Sequence, residues 1–135
     1  MNVDVNHRWN TSEYENRVKQ LNRTELHKLY PSESWALYRI LPQCKNVLDL
    51  GCGNGAMAEI TRKISPKTQY TGVDHQENLI TKARDIFGFS NFEYSDLIEY
   101  LKNSKRFDCI MSWSVIKSFK NWRQILELMI EKTNK

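Results

Sequence analysis

Hydrophobic positions from residue 45 onward follow two patterns that alternate along the chain. Short apolar runs bounded by turn residues are typical of buried strands, and apolar stripes spaced three or four residues apart are typical of helices. The runs predict strands over residues 46–50, 69–73, 92–94 and 107–111. The stripes predict four helices through Met57, Ile60 and Ile64; Leu79, Ala83, Ile86 and Phe87; Leu97, Tyr100 and Leu101; and Trp122, Ile125, Met129 and Ile130. Strands alternating with helices predict right-handed βαβ units and a parallel sheet, so the fold class is α/β.

The first 43 residues carry a different pattern, which divides the chain into residues 1–43 and 44–135. Residues 1–10 show no periodicity, and we expect them to form an arm. Ser12 and Glu15 indicate a capping box, followed by a helical face through Tyr14, Val18 and Leu21. A second helix is predicted to begin near Pro31 and to end at Pro42, with Trp35, Tyr38 and Leu41 on one face. We therefore expect an N-terminal helical extension in front of an α/β core.

The composition is that of an ordinary globular domain. A length of 135 residues fits one domain, and 40% hydrophobic with 27% charged residues excludes a disordered chain. The net charge of +4 permits an anionic partner without requiring one. Basic residues cluster late in the chain: Lys102, Lys105, Arg106, Lys117, Lys120 and Arg123. We interpret them as a solvated surface, the alternative being a surface that attracts RNA or an anionic sugar.

Cysteine usage and hydropathy predict the compartment. The three cysteines form no CxxC pair and no Cys/His spacing typical of zinc, so we expect reduced thiols and no metal site. The N-terminus lacks the apolar stretch of a signal peptide, and no run is long enough to span a bilayer. The expectation is a cytoplasmic protein without membrane contact.

Three of the five glycines stand within five positions of the segment VLDLGCGNGAM, residues 47–57. A buried strand, a glycine turn and a helix start together are the arrangement that presents free backbone N–H groups to a ligand. A tight turn without a ligand would also use glycine, but turn geometry does not explain Asp49, a carboxylate inside the apolar strand. The segment is therefore the first candidate for a binding site.

The glycine segment fits two ligand-binding patterns. Gly51, Gly53 and Ala56 match the dinucleotide fingerprint in its G-x-G-x-x-A form. Asp49-x-Gly51-x-Gly53-x-Gly55 resembles motif I of the class I S-adenosylmethionine-dependent methyltransferases. Both families place an acid at the end of the second strand to hold ribose hydroxyls, and Asp74 stands there.

Three features favour the methyltransferase resemblance, which covers roughly residues 45–130. Asp49 is similar to the acid that orients the methionine end of the cofactor, directly or through water. Asp96 and Leu97 follow the third strand, where the family binds adenine. The stretch FDCIMSWSV resembles the fourth-strand motif with its serine turn. The resemblance implies a Rossmann-like parallel sheet, S-adenosylmethionine as cofactor, and a binding set of Asp49, Gly51, Cys52, Gly53, Gly55, Asp74, His75, Asp96, Leu97 and Ser112.

Individual members of this set have structural alternatives. Asp74 and Asp96 could each cap the helix that follows. Cys52 is better interpreted as a small residue filling the turn than as a nucleophile. His75 could flank the adenine or simply be exposed.

The sequence says less about the acceptor. No residue stands out as a catalytic base, so the catalytic set stays unassigned. The segment Ser112-Trp113-Ser114-Val115 lacks the Asn/Asp-Pro-Pro-Tyr/Phe motif of the family's exocyclic-amino nucleic-acid enzymes, which disfavours nucleic acid and favours a small-molecule or saccharide acceptor. A binding module that holds S-adenosylmethionine without turnover is an alternative, and an NAD-dependent oxidoreductase fragment is a weaker one.

The number of strands departs from the family pattern. The family has seven strands, whereas this sequence supplies four, which predicts a fold truncated after about four strands and an incomplete core. The fourth strand would then lie at an exposed sheet edge. The expectation is a fragment of a longer enzyme, or a homodimer mate or other partner that covers this edge. The alternative is that the final helix folds back over the edge and shields it.

Overall fold

The computed structural model describes residues 24–88 and 91–135, and its elements alternate as the sequence pattern predicts. Four strands are present: β1 (Asn46–Leu50), β2 (Gln69–Asp74), β3 (Phe92–Tyr94) and β4 (Cys109–Met111). Five α-helices accompany them: α1 (Pro31–Ile40), α2 (Ala56–Ile64), α3 (Glu77–Phe87), α4 (Leu97–Asn103) and α5 (Trp122–Lys132). Short 3-10 helices occupy Leu26–Lys28, Leu41–Gln43 and Ile116–Ser118.

The strands form one parallel sheet in the order β3-β2-β1-β4. In its register Val47 lies opposite Tyr70 and Asp49 lies opposite Gly72. Consecutive strands are joined by helices, because parallel neighbours need a crossover connection. The predicted α/β fold with a Rossmann-like parallel sheet is confirmed for the part of the chain described.

The two faces of the sheet are covered by different helices. Leu48, Leu50 and Val73 point to one face and pack in a cluster with residues of α4 and α5. Val47, Tyr70 and Phe92 point to the other face and pack with residues of α1, α2 and α3. We call these the α4/α5 face and the α1–α3 face. Both faces are covered, as a parallel sheet requires.

The edge of the sheet at β4 differs from the prediction in two ways. Regular pairing begins at Cys109 rather than at residue 107, because the Asp108 carboxylate accepts the N–H of Lys45 at 2.7 Å in place of a ladder bond. In addition, the chain after α5 returns to this edge. The Phe107 N–H donates to the carbonyl of Lys132 and its carbonyl accepts from Asn134, both at 2.8 Å. The predicted open edge is therefore paired at Phe107, and β4 has no second strand partner among the described residues.

Three predicted helix faces need correction. In α3 the predicted face member Ile86 is exposed. In α1 the side chain facing the core is Leu37, with Leu41 just after the helix, whereas Trp35 and Tyr38 are more than half exposed. In α5 the residues Ile125 and Met129 are buried, but Trp122 and Ile130 are exposed, because the apolar stripe is wider than the surface that the described residues offer it.

Some N-terminal predictions fall outside the described residues. These are the arm over residues 1–10 and the helix from Ser12 through Leu21. The division at residues 43 and 44 stays a prediction, although Leu37, Leu41 and Cys44 share one core cluster with Val47. Within residues 24–88 and 91–135, no helix has the length and apolar character needed to cross a membrane.

Candidate functional site

The glycine loop between β1 and α2 contains three residues with positive φ, at +81° for Gly51, +56° for Gly53 and +86° for Gly55. At two of these positions glycine is also required by packing, because a side chain there would overlap a neighbouring side chain. A Cβ on Gly51 would lie 2.6 Å from the Val115 side chain, and one on Gly55 would lie 2.8 Å from the Phe92 ring. A Cβ on Gly53 would meet nothing within 4 Å. Gly53 therefore faces open space, which is where a ligand could approach the backbone.

The loop does not offer its N–H groups to a ligand as the sequence pattern suggests. The N–H groups of Gly51 and Cys52 donate to the carbonyl of Val73, at 2.7 and 3.0 Å. The N–H of Gly53 donates to Asp74, and that of Gly55 donates to the carbonyl of Cys52 at 3.1 Å. The prediction of free donors is wrong for these four residues. A diphosphate depends on such donors, so the loop is poorly suited to a dinucleotide.

Asp74 fastens the loop to the end of β2. Its Oδ2 accepts from the Gly53 N–H and its Oδ1 from the Gln76 N–H, both at 2.9 Å. Burial raises the pKa of this carboxyl, and the two backbone donors partly oppose the rise. Each oxygen still has a second lone pair. Asp74 thus does stabilise the start of the following segment, and its predicted contact with ribose hydroxyls stays a prediction.

Asp49 lies in β1, buried on the α1–α3 face with only 1% of its surface exposed. The Tyr70 hydroxyl donates to its Oδ2 at 2.6 Å. Its Oδ1 is buried and has no hydrogen-bond partner in the structure. Burial raises the pKa of Asp49 to about 7, the Tyr70 hydrogen bond opposes this rise, and the negative charge of Asp74 adds to it. A buried acceptor without a donor is unfavourable unless a ligand supplies one.

Sequence reasoning missed Tyr70. The signal was available in part, because Tyr70, Gly72 and Asp74 alternate along β2 and so share one face of the sheet. What the sequence could not supply is the pairing of β1 with β2 that brings this tyrosine to Asp49.

Cys52 and Ser112 occupy structural positions beside the loop. The Cys52 side chain is buried, and a Cβ on Gly72 would lie 2.9 Å from its Sγ, so it fills the turn. Burial raises the pKa of this thiol well above its usual range, which disfavours a nucleophilic thiolate. The Ser112 hydroxyl donates to the carbonyl of Leu50 at 2.8 Å and ties the end of β4 to β1.

The remaining predicted residues lie at the ends of β2 and β3. Asp96 caps α4, because its Oδ1 accepts from the Glu99 N–H at 2.9 Å. Leu97 is fully buried on the α4/α5 face. The His75 ring packs edge-on against Phe119, with ring centroids 5.4 Å apart and 15% of its side chain exposed, so the interpretation as a merely exposed histidine is not supported. Contacts of these three residues with adenine stay predictions.

The electrostatics of the site favour a ligand rich in hydrogen-bond donors. Asp49 and Asp74 are two buried carboxylates that lie close enough for the negative charge of one to make ionisation of the other less favourable. Such a pair repels a diphosphate and attracts ammonium, sulfonium and hydroxyl groups. The described residues contain no group of three or more side chains able to hold a metal ion.

Comparisons with known proteins agree with this picture. The profile of a family described as "Methyltransferase domain" matches residues 14–135. A trans-aconitate 2-methyltransferase from Variovorax paradoxus is 25% identical over 118 residues, covering 87% of this chain and 43% of the relative. A malonyl-[acyl-carrier protein] O-methyltransferase from Bacillus cereus is 30% identical over 86 residues, covering 63% of this chain and 32% of the relative.

A solved structure is similar in the same way. The plantazolicin methyltransferase BpumL, in complex with a pentazolic desmethylPZN analog and SAH, superposes with a TM-score of 0.70 at 27% identity. The match covers 91% of this chain and 47% of that protein. The chain thus spans less than half the length of each of these three relatives.

Proposed function

Because the chain belongs to the family of methyltransferase domains, we propose that it binds S-adenosylmethionine at the glycine loop and serves methyl transfer to a small-molecule or saccharide acceptor. S-adenosylmethionine supplies a methyl group on a positively charged sulfonium, which leaves as a neutral thioether. The protein's task is then mainly to align the acceptor with this methyl group.

The observation that carries the proposal is the open space at Gly53, next to two buried carboxylates. The ligand that fits must bring donors and positive charge, because the loop's own donors are largely engaged. S-adenosylmethionine has an ammonium, a sulfonium and two ribose hydroxyls. A dinucleotide brings a negatively charged diphosphate instead, so the same space disfavours NAD.

Five of the predicted residues have a proposed contact with the ligand. Asp49 holds the amino-acid end of the ligand through Oδ1, directly or through a water molecule. Asp74 accepts from the ribose hydroxyls while it keeps its bonds to the backbone of Gly53 and Gln76. Asp96, the Leu97 N–H and the His75 ring are proposed to surround the adenine.

The acceptor class rests on weaker support. The relatives named for trans-aconitate and for the malonyl group act on small organic acids or a carrier-bound acyl group. These two names and the missing Asn/Asp-Pro-Pro-Tyr/Phe motif support a small acceptor, whereas the similarity to a ribosomal RNA large subunit methyltransferase G from Vibrio vulnificus, 32% identical over 85 residues, is the observation against it. No catalytic base is assigned, and an acceptor that is already a good nucleophile would need none.

Calorimetric titration of the chain with S-adenosylmethionine, S-adenosylhomocysteine and NAD tests the binding half of the proposal. We expect saturable binding of the first two ligands and none of NAD. Binding of NAD alone, or of no ligand to folded protein, would contradict it.

Turnover tests the second half. The chain is incubated with methyl-labelled S-adenosylmethionine and a panel of organic acids, sugars and short RNAs, and transfer of label is measured. We expect transfer to a small acceptor. Binding without transfer to any acceptor would restrict this chain to a binding module, and transfer to RNA alone would contradict the acceptor class.

A further inference from the structure

The tyrosine that contacts Asp49 has no place in the ligand contacts proposed above. Tyr70 is 93% buried, and its hydroxyl lies 2.6 Å from Oδ2 of Asp49. Its ring packs edge-on against Phe92, with centroids 5.8 Å apart. The side chain is therefore fixed at both its ring and its hydroxyl.

We propose that Tyr70 is a positioning residue that holds Oδ2 of Asp49 and thereby leaves Oδ1 as the acceptor for the amino-acid end of the ligand. This inference rests on the proposed binding of S-adenosylmethionine. It assigns to Tyr70 an effect on the ligand through Asp49, without contact between Tyr70 and the ligand.

The sheet register explains how the tyrosine reaches the acid. Asp49 lies opposite Gly72, and Tyr70 lies two positions earlier on the same face of β2. Gly72 has no side chain beside Asp49, and a Cβ there would lie 2.9 Å from both Cys52 and Phe92. The diagonal from Tyr70 to Asp49 is therefore open, and diagonal neighbours in a sheet are within reach of a long aromatic side chain.

A purely structural hydrogen bond would leave a different pattern. The Asp49 carboxylate uses one oxygen for Tyr70, and its second oxygen is buried without a donor. A side chain whose only role is to accept the hydrogen bond of the Tyr70 hydroxyl would need one acceptor atom and no negative charge. The unused acceptor is what a bound ammonium or water would satisfy.

The hydrogen bond also affects the ionisation of Asp49. Burial raises the pKa of this carboxyl to about 7, and the Tyr70 hydroxyl lowers it. The charge of Asp74 raises the pKa of Asp49 further, and the charge of Asp49 in turn raises the pKa of the Cys52 thiol. On the covering helices, Glu59 of α2 pairs with Arg62 and Lys63, and Glu33 of α1 accepts from the Tyr30 N–H. Loss of the Tyr70 hydroxyl therefore moves the pKa of Asp49 further upward.

The test compares two ligands on the variant Tyr70→Phe. S-adenosylhomocysteine has the amino-acid end, whereas 5′-methylthioadenosine shares the adenine and ribose but lacks it. At pH 7 we expect Tyr70→Phe to weaken S-adenosylhomocysteine about tenfold, the scale of a hydrogen bond to a charged group, and to leave 5′-methylthioadenosine within about twofold. Tyr100→Phe is the matched control, since Tyr100 packs on the α4/α5 face and should change neither affinity.

The pH profile separates positioning from packing. For the parent, the affinity for S-adenosylhomocysteine relative to 5′-methylthioadenosine should rise as the pH increases through about 7. In Tyr70→Phe the midpoint of this rise should move to higher pH. Asp74 is proposed to contact the ribose, which both ligands contain. Protonation of Asp74 should therefore change both affinities equally and leave their ratio unchanged. Equal losses for both ligands at every pH would overturn the inference.

A double-mutant cycle with Asp49→Asn distinguishes an effect of Tyr70 through Asp49 from a general loss of packing. If Tyr70 acts through Asp49, adding Tyr70→Phe to Asp49→Asn should cost less than about twofold in affinity for S-adenosylhomocysteine. A full tenfold further loss would overturn the inference. Failure of the parent to bind S-adenosylhomocysteine would instead contradict the proposed function, so the two failures are distinguishable.

Discussion

The two faces of the sheet use adjacent residues of the same strand in opposite ways. Leu48 and Leu50 of β1 point to the α4/α5 face and pack within an apolar cluster. Asp49, between them, points to the α1–α3 face and carries a buried carboxylate that has one unpartnered oxygen. One face follows the rule that apolar side chains fill the core, and the other departs from it at two buried carboxylates, Asp49 and Asp74.

We infer from this difference that the α4/α5 face mainly stabilises the fold and that the α1–α3 face carries the candidate binding site. The α4/α5 face buries residues such as Leu101 and Ile125 completely, which favours folding by the ordinary hydrophobic effect. The α1–α3 face buries a carboxylate next to a loop with three positive-φ glycines, and burying the charged form of that group reduces folding stability. Such local departures are expected at functional sites.

The largest effect we expect comes from the apolar face. Leu48→Ala should lower the free energy of unfolding by about 2–5 kcal/mol, because it leaves a cavity in a fully buried cluster. Urea denaturation measures this loss. The affinity of the remaining folded protein for S-adenosylhomocysteine should change little. A loss of affinity without a loss of stability would contradict the assignment of stability to one face and binding to the other.

Asp74→Ala should act on binding. We expect a loss of about 1.5–3 kcal/mol in S-adenosylhomocysteine affinity, because a charged acceptor for the ribose is removed. Calorimetry with 2′-deoxy and 3′-deoxy analogues should show that their disadvantage disappears in the variant. The control is Asp108→Ala, since Asp108 also accepts a backbone N–H beside β1 but lies at the opposite end of the strand. Persistence of the analogues' disadvantage would exclude contact between Asp74 and the ribose.

Gly53→Ala tests the open space, with Gly88→Ala as its matched control. Both glycines have positive φ and nothing within 4 Å of an added Cβ, so both substitutions strain the backbone similarly. Only the methyl group at residue 53 should enter the ligand's space, weakening S-adenosylhomocysteine by about 1–3 kcal/mol. Equal affinities of the two variants would show that the glycine loop does not contact the ligand.

Much of the fold could be predicted from the sequence because strongly apolar runs determine the strands. The predicted 46–50 and 92–94 match β1 and β3, and β2 extends one residue further to Asp74. β4 begins at Cys109, later than predicted, and the cause is local: the Asp108 side chain replaces a ladder bond. Helix faces were harder to predict, since the exposure of Trp122 depends on which elements lie opposite α5.

The candidate site was predictable where its signal is local. The glycine spacing and the two acids stand out because glycine and buried aspartate are unusual after an apolar strand. Two features needed the three-dimensional pairing of strands about 20 residues apart: the engaged N–H groups of the loop, and the contact between Tyr70 and Asp49. The local alternation along β2 places Tyr70 on the same face as Asp74, but only the pairing with β1 brings it to Asp49.

The central claim is that Asp49 serves the ligand at the expense of folding stability, and its pH dependence has a definite sign. Its ordinary pKa is 3.8 and its pKa in the folded protein is about 7. The folded state therefore binds this proton more tightly, and the associated stabilisation is complete below pH 3.8 and lost as the pH rises through about 7. Asp108 has the opposite sign, because hydrogen bonds from Asn134 and Lys45 lower its pKa.

The most direct test measures Asp49→Asn at pH 8 by urea denaturation and by titration with S-adenosylhomocysteine, beside Asp108→Asn. An asparagine at residue 49 can still accept from Tyr70 but carries no charge. We predict that Asp49→Asn is more stable than the parent by about 1–2 kcal/mol and binds the ligand at least about tenfold more weakly, while Asp108→Asn gains no stability and keeps its affinity. A less stable Asp49→Asn protein with unchanged affinity would contradict the account.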